Sequence, residues 1–369
     1  KTKTVHVGLV GVGGVCGEVH YPGIMEATDA KVVALADTDG AKLARRAQEW
    51  GVQRTFTDPL ELLREPEVDA VVLAVPNVLH APLAIAAAQH GKHVLCEKPL
   101  AMNLAEARDM LHAVQAARVR HMTAFTYRFV PAMRYLKRLI EKGDLGEPRH
   151  FRAQRFQDWP DHALGWRQWK RTAGTGELGD MCSHRIDFGH YLIGDLRSVC
   201  AHTKQFLARD TDREGRPVPP SDTEDWVAIL GEFANGATAV WESTKLARGH
   251  GRGGVSHDFC EVNGREGSAV YELCHPYQVK VGRRGGRYQI HPVPPEFMSL
   301  PGSRRPTAGD PTRVWRYDQA AEFIAAIQEG RDCQPSFRDG VRCQAVLEAV
   351  VTAIQERRWV EVIYSDCAT

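Results

Sequence analysis

The run HVLC at His93–Cys96 has the apolar character of a strand that disappears into a sheet, yet it ends in Glu97 and Lys98 with Pro99 fixed behind them. Charged side chains of this kind are almost never buried without a partner, so the ammonium of Lys98 is expected to meet one. The stretch AVPNVLH brings Asn77 and His80 to the end of the preceding apolar run. Two adjacent strand ends carrying polar groups outside an apolar interior make a ligand site, because open α/β sheets bind ligands beyond the carboxyl ends of their strands. For His80 the alternative is a helix N-terminal residue that only caps its neighbours.

A second constellation lies upstream. GVGGVCG at Gly11–Gly17 follows the run VHVGLV directly. Gly11 permits a sharp turn, Gly13 lets the backbone approach a pyrophosphate, and a helix opening there presents free N–H groups to it. The third fingerprint position is Cys16 in place of glycine, and Pro22 suggests a short or distorted helix. An ordinary β-turn is the alternative. Asp37 ends the next apolar run, KVVALAD, where a carboxylate can accept from both hydroxyls of an adenosine ribose. A 2′-phosphate there would meet like charge from Asp37 and Asp39, with Lys42 as the nearby counter-charge, so NAD is preferred over NADP.

The elements that must position these groups follow from the pattern. Val5–Val10, Lys31–Ala36, Ala70–Val75 and Lys92–Cys96 are continuously apolar, with helical patterns over Ala41–Trp50, Leu79–His90 and Asn103–Ala116 between them. Continuous strands separated by helices indicate a parallel sheet covered on both faces, a doubly wound α/β domain over residues 1–125. From residue 126 the texture changes. A helix at Pro131–Lys142 is followed by Val227–Phe233, Thr238–Ser243, Phe259–Asn263 and Ala269–Leu273 across tight turns such as Asn235–Gly236, which predicts an α+β domain over residues 126–369 with a large, mainly antiparallel sheet. The exposed face of that sheet is a candidate surface for a homodimer or homotetramer. Helices over Gln319–Glu329 and Val341–Glu356 close the chain, and Thr203–Ser221 and Pro292–Pro311 are surface loops.

Composition excludes several classes. A net charge of +1 over 369 residues, with no basic patch or tail, argues against nucleic acid or an anionic membrane surface. Apolar runs fall far short of the ~20 residues of a membrane span. The opening KTKTVHVGLV has no signal-peptide core, which predicts a cytoplasmic chain. The nine cysteines contain no C-x-x-C pair, so they are expected to be reduced thiols, with no metal site.

The segments GVGGVCG, AVPNVLHAPLAIAAAQHGKHVLCEKPLA, YRFVPAMRYLKRLIEKGDLGEP and GTGELGDMCSHRIDFGHYL together resemble the glucose-fructose oxidoreductase and inositol dehydrogenase family, Gfo/Idh/MocA. DTEDWVAILGEFANGATAVWEST and FIAAIQEGRDCQPSFRDGVRCQAVLEAV resemble it too, so the likeness covers nearly the whole chain. The resemblance implies a catalytic set of Lys98, Asp180 and His184. A spacing of four puts Asp180 and His184 on one face of a helix; otherwise Asp180 is a cap and His184 a core residue. It also implies that Trp166 and Arg167 touch the cofactor and that Tyr127 and Arg128 line the substrate site, which Trp166 and Tyr317 also reach. Family members often carry asparagine where this chain has Val130. Around the dinucleotide, Gly14 and Val15 would join Gly11 and Gly13, Thr38 and Lys42 would join Asp37, and Pro76, Asn77, His80, Glu97 and Lys98 would lie toward the nicotinamide. Trp159, Trp166 and Trp169 suit the apolar face of a sugar ring or a core equally.

The implied reaction moves a hydride between a nicotinamide and a secondary hydroxyl or ketone of a sugar, inositol or related polyol. Such an oxidation needs a neutral base for the hydroxyl proton and a positive charge beside the developing alkoxide. His184, with an ordinary pKa of about 6.5, suits the base, and Lys98, offset by Glu97 or Asp180, suits the charge. Two other readings remain at the sequence level. One is a glycosidase that uses NAD for transient oxidation and elimination. The other is a non-catalytic NAD-binding regulator, for which Lys98, Asp180 and His184 would be needless.

Overall fold

The structure is a computed structural model that describes residues 3–162, 164–212, 214–252, 256–303 and 313–364. The chain divides into two compact units. The first takes the chain up to Thr126, a segment beginning at Ser299, and Val314–Val341; the second takes Tyr127–Met298 and the chain from Arg342 onward.

In the first unit six strands, β1 (Val5–Val10), β2 (Ala30–Ala36), β3 (Arg54–Phe56), β4 (Ala70–Leu73), β5 (His93–Cys96) and β6 (His121–Thr123), pair in the order β3-β2-β1-β4-β5-β6, every pair parallel. The order reverses between β1 and β4, which is where a doubly wound sheet opens a crevice for a ligand. Val5, Val7, Leu9 and Val10 of β1 and all four residues of β4 are buried, as strands covered on both faces must be. Helices α1 (Tyr21–Glu26), α2 (Gly40–Trp50), α3 (Pro59–Arg64), α4 (His80–Gln89) and α5 (Leu104–Ala116) fill the crossovers. Pro22 lies in the first turn of α1, where its missing N–H costs nothing. The distortion it suggested lies just before, in a π-helical turn over Cys16–His20. The helix Asp318–Glu329 belongs to this unit as well, through contact between its element and α1: a Cβ on Gly23 would lie 3.2 Å from Ala320 Cβ and 3.4 Å from Tyr317 Cα.

The second unit holds a nine-stranded sheet in the order β14-β13-β12-β11-β7-β10-β9-β8-β15. Its strands are β7 (Pro148–Phe156), β8 (Leu196–Lys204), β9 (Trp226–Phe233), β10 (Thr238–Thr244), β11 (His257–Gly264), β12 (Gly267–Glu272), β13 (Gln278–Arg283), β14 (Gln289–Pro292) and β15 (Val360–Glu361). All neighbours run antiparallel except β7 and β10. β9 and β10 form the expected hairpin, with Gly236 at φ +88° and Asn235 Oδ1 accepting from the Ala237 N–H at 3.0 Å. Helices α6 (Pro131–Glu141), α7 (Lys170–Ala173) and α8 (Ser183–Leu192) complete it, and α8 is buried over almost its full length. A second π-helical turn, Leu178–Cys182, leads into α8.

Most of the loop expected at 203–221 is irregular, although Thr203 and Lys204 extend β8 and Thr211 bridges Pro217. Of the loop expected at 292–311, residues 304–311 lie outside the described residues, as does Cys367. Among the described residues no helix is long and apolar enough to cross a membrane, and the eight cysteines are free thiols.

Candidate active site

The glycine turn after β1 is shaped by two different demands. Gly11 has φ +84°, and a Cβ there would lie 2.4 Å from the carbonyl oxygen of Ala74, so any side chain would force the β1 and β4 ends apart. Gly13 and Gly14 have no atom within 4 Å of where a Cβ would stand. An open, Cβ-free cradle at the end of β1, leading into a helical turn, fits a pyrophosphate. Val15 occupies the N-cap position of that turn. Cys16 at the third fingerprint position is fully buried, and burial pushes its thiol up to about 12, so it stays protonated and acts as a small apolar filler.

Asp37 follows β2 and is buried to 8 % exposure. Its Oδ2 accepts from the Val12 N–H at 3.0 Å and its Oδ1 from the Asp39 N–H at 2.9 Å, so the carboxylate is aimed at the glycine turn. Lys42 Nζ lies 2.9 Å from Oδ2. A carboxylate has roughly four acceptor sites, so these three contacts leave Asp37 with acceptor capacity to spare. Thr38 is exposed beside it, and Arg46, which sequence reasoning did not single out, places NH2 3.0 Å from the Cβ position of Gly17.

On the other side of β1 are the ends of β4 and β5. Asn77 is buried in a short helical turn that begins after Pro76. His80 does more than cap α4. It is fully buried, with its ring nitrogens 3.0 Å from the carbonyl oxygens of Pro99 and Val75, so the imidazole sits between the β4 loop and the turn that carries Lys98 and, as a neutral ring, donates to one of the two. Burial lowers its pKa, with the two carbonyls opposing the shift. Glu97 Oε1 lies 2.7 Å from Nε2 of the buried His20, and Oε2 accepts from the Lys98 N–H at 3.2 Å. Burial would raise the Glu97 pKa, but the His20 contact and the Lys98 charge outweigh it, so Glu97 stays ionised. Lys98 itself is half-buried and precedes a cis peptide bond to Pro99.

The second unit assembles another group. Asp180 sits in the π-helical turn and His184 in the first turn of α8, so the single α-helical face inferred from their spacing is replaced by a π-to-α junction, a feature frequent at functional sites. His184 is 4 % exposed, and Tyr127 meets its ring edge-on at 4.6 Å between centroids. Asp180 Oδ1 accepts from Arg167 Nε at 3.3 Å, and Arg167 stacks over Trp166 with 4.3 Å from Cζ to the ring centre. Two of the residues expected at the cofactor are therefore built onto the aspartate. Asp180 Oδ2 pairs with Lys245 Nζ at 2.9 Å. Neither Lys245 nor Glu177 and His20 was anticipated; their partners lie too far away in sequence for any spacing rule to link them.

Arg128, expected at the substrate, is buried and holds Asp187 bidentately, Nε to Oδ2 at 2.8 Å and NH2 to Oδ1 at 2.6 Å, with Tyr191 beneath its guanidinium at 4.9 Å. That geometry makes it an anchor for α8. Tyr317 belongs to the first unit, where it packs against Gly23. Lys98 belongs to the first unit, Asp180 and His184 to the second.

Residues 5–125 match the oxidoreductase family with an NAD-binding Rossmann fold, and residues 133–270 match the GFO/IDH/MocA C-terminal domain. The chain belongs to the Gfo/Idh/MocA family. Across 98 % of both chains it is 34 % identical to levoglucosan dehydrogenase of Pseudarthrobacter phenanthrenivorans, and across 97 % of this chain and 99 % of the other it is 26 % identical to inositol 2-dehydrogenase of Rhizobium meliloti. A solved levoglucosan dehydrogenase in complex with NADH and L-sorbose superposes with a TM-score of 0.90 at 31 % identity, covering 98 % of this chain and 99 % of that one. This Gfo/Idh/MocA member thus has an NAD-binding Rossmann domain followed by the family's C-terminal sheet domain.

Proposed function

We propose that this protein is an NAD-dependent dehydrogenase that oxidises a secondary hydroxyl of a cyclic sugar or polyol, with NAD preferred over NADP. The observation that carries the reading is the carboxyl edge of the parallel sheet. Asp37 stands past β2, the open glycine turn past β1, and Lys98 past β5, so a dinucleotide laid across that edge with its adenosine at Asp37 has its other end toward Lys98. The names of the relatives, levoglucosan dehydrogenase and inositol 2-dehydrogenase, support a cyclic polyhydroxy substrate.

The bound NAD supplies the hydride acceptor. The chain's own residues handle the proton and the charge: His184 takes the hydroxyl proton, Lys98 donates to the same oxygen as negative charge develops on it, and Asp180 steadies the imidazolium that results. The hydride leaves the carbinol carbon with the C–H electron pair as the O–H electrons form the carbonyl. Glu97, engaged with His20, keeps the Lys98 turn in place.

The test is NADH formation at 340 nm across a panel of pyranoses, anhydrosugars and inositols, with calorimetry for both cofactors. The expected result is steady NADH release with at least one class and NAD binding at least roughly tenfold tighter than NADP, about 1.4 kcal/mol. No NADH with any member of a broad panel, or equal dissociation constants, would count against the substrate class or the cofactor preference respectively.

A further inference from the structure

Behind Asp180 lies a buried charge cluster that the dehydrogenase reading does not use. Lys245 stands one residue past β10 and is 5 % exposed; β10 is held on both sides, by β7 and β9, so the backbone at its end is well fixed. Lys245 Nζ lies 2.9 Å from Asp180 Oδ2 and 3.4 Å from Glu177 Oε2. Glu177 is completely buried, and its Oε1 accepts from the Ser243 hydroxyl at 2.5 Å. Glu224 Oε1 accepts from the Gly176 and Leu178 N–H groups at 2.8 and 3.0 Å, which locks the backbone around Glu177. The Asp180 carboxylate is thus gripped on Oδ1 by Arg167 and on Oδ2 by an ammonium whose own position is fixed by a second carboxylate.

A buried ion pair of this kind is weak evidence for stability, because removing two charges from water costs about as much as their attraction returns. What such a pair does supply is orientation. Asp180 sits in a π-helical turn of only five residues and, without a fixed partner, could rotate about its side-chain bonds. We propose that Lys245 is a positioning residue of the reaction: anchored by Glu177, its ammonium holds Asp180 in the one orientation from which that carboxylate supports the base. The inference rests on the reading that Asp180 acts in the proposed dehydrogenase reaction.

Charge states in the cluster agree with this geometry. Burial would lower the Lys245 pKa, but Asp180 and Glu177 together raise it, so the ammonium is permanent. Burial pushes Glu177 up to about 7, opposed by Lys245 and Ser243 and reinforced by Asp180. The groups facing Glu177 are Asp180 and Cys182 from its own turn, Ser243 and Lys245 from the β10 end, and Glu224 from the segment before β9. Protonation of Glu177 leaves Lys245 to Asp180 alone, whereas its ionisation divides the ammonium between two carboxylates.

The test is a kinetic double-mutant cycle on the full-length protein with a substrate from the panel: K245M, D180N, K245M/D180N, and K245R as the conservative rescue. The expected result is a fall in kcat of about 10- to 100-fold for K245M with unchanged NAD affinity, partial recovery in K245R, and a double variant no slower than D180N. An E177Q variant, which leaves a neutral isostere in place should K245M not fold, is expected to remove an ionisation near pH 7 from the kcat profile. Wild-type kcat in K245M beside an impaired D180N, additive losses in the double variant, or an E177Q profile identical to wild type would each overturn the positioning role while leaving the dehydrogenase reading intact. Wild-type kcat in D180N would overturn the positioning role together with the part given to Asp180 in the reaction.

Discussion

Two glycines two positions apart in sequence give opposite predictions when each is replaced by alanine. At Gly11 the backbone sits at φ +84°, a conformation that costs an L-residue about 1–2 kcal/mol, and the new Cβ would lie 2.4 Å from a backbone carbonyl oxygen that cannot swing aside. Overpacking of that severity typically adds about 1–3 kcal/mol. The smaller entropy of the unfolded alanine chain returns roughly 0.4–1 kcal/mol, so Gly11→Ala should destabilise by about 1–4.5 kcal/mol. Gly13→Ala meets nothing within 4 Å and should leave stability unchanged or slightly higher. It fills the space where the pyrophosphate is proposed to lie, so NAD affinity should fall at least roughly tenfold. Urea denaturation of the unliganded protein measures the first quantity and calorimetry with NAD the second. A Gly11→Ala protein within about 0.5 kcal/mol of wild type, or a Gly13→Ala protein with full NAD affinity, would refute the reasoning.

Two further outcomes follow from buried charges. Asp258 Oδ2 accepts from Arg155 NH1 at 3.1 Å and from Arg185 NH2, and both guanidiniums are 1 % exposed, so Asp258→Asn should cost about 3–5 kcal/mol in urea denaturation, with R155M/R185M/D258L recovering most of it. Because Arg185 follows His184 on α8, D258N should also lower turnover. His121 is held neutral by burial, its pKa lowered to about 4, with Nδ1 accepting from the Phe337 N–H at 3.1 Å. A pKa depressed below the unfolded value of about 6.5 gives stability that is full above pH 6.5 and lost as pH falls toward 4, roughly 3 kcal/mol in all. Denaturation midpoints across that window should flatten in His121→Gln, and an unchanged slope would rule the assignment out.

Much of the first unit was legible because β1, β2, β4 and β5 are largely apolar runs, and β2 and β5 stop at Asp37 and Glu97, which also disclosed the sheet edge bearing Asp37 and Lys98. β3 and β6 were missed because three residues are too short to show a period. β7 was missed for a different reason: its inward positions Phe151 and Ala153 continue with Arg155, a charged residue buried against Asp258, so the alternation breaks where the core is ionic. The π-helical turn at Leu178–Cys182 has no signature in residue spacing, and neither does the meeting of Lys245 with Asp180 across 65 positions of chain. The EKP and AVPNVLH motifs singled out Lys98 and His80, whereas the partners that fix the candidate groups, His20 against Glu97 and Glu177 and Lys245 against Asp180, came from packing alone.

The central proposal is that Lys98 and His184 both act in the oxidation of one carbinol carbon. Single-turnover hydride transfer at saturating NAD, followed at 340 nm in wild type, K98M, H184A and the double variant, tests it most directly. Each single variant, saturated with NAD, should transfer hydride about 10² to 10⁴ times more slowly, with the double variant little worse than the slower single. Hydride transfer at the wild-type rate in either single variant would contradict the account.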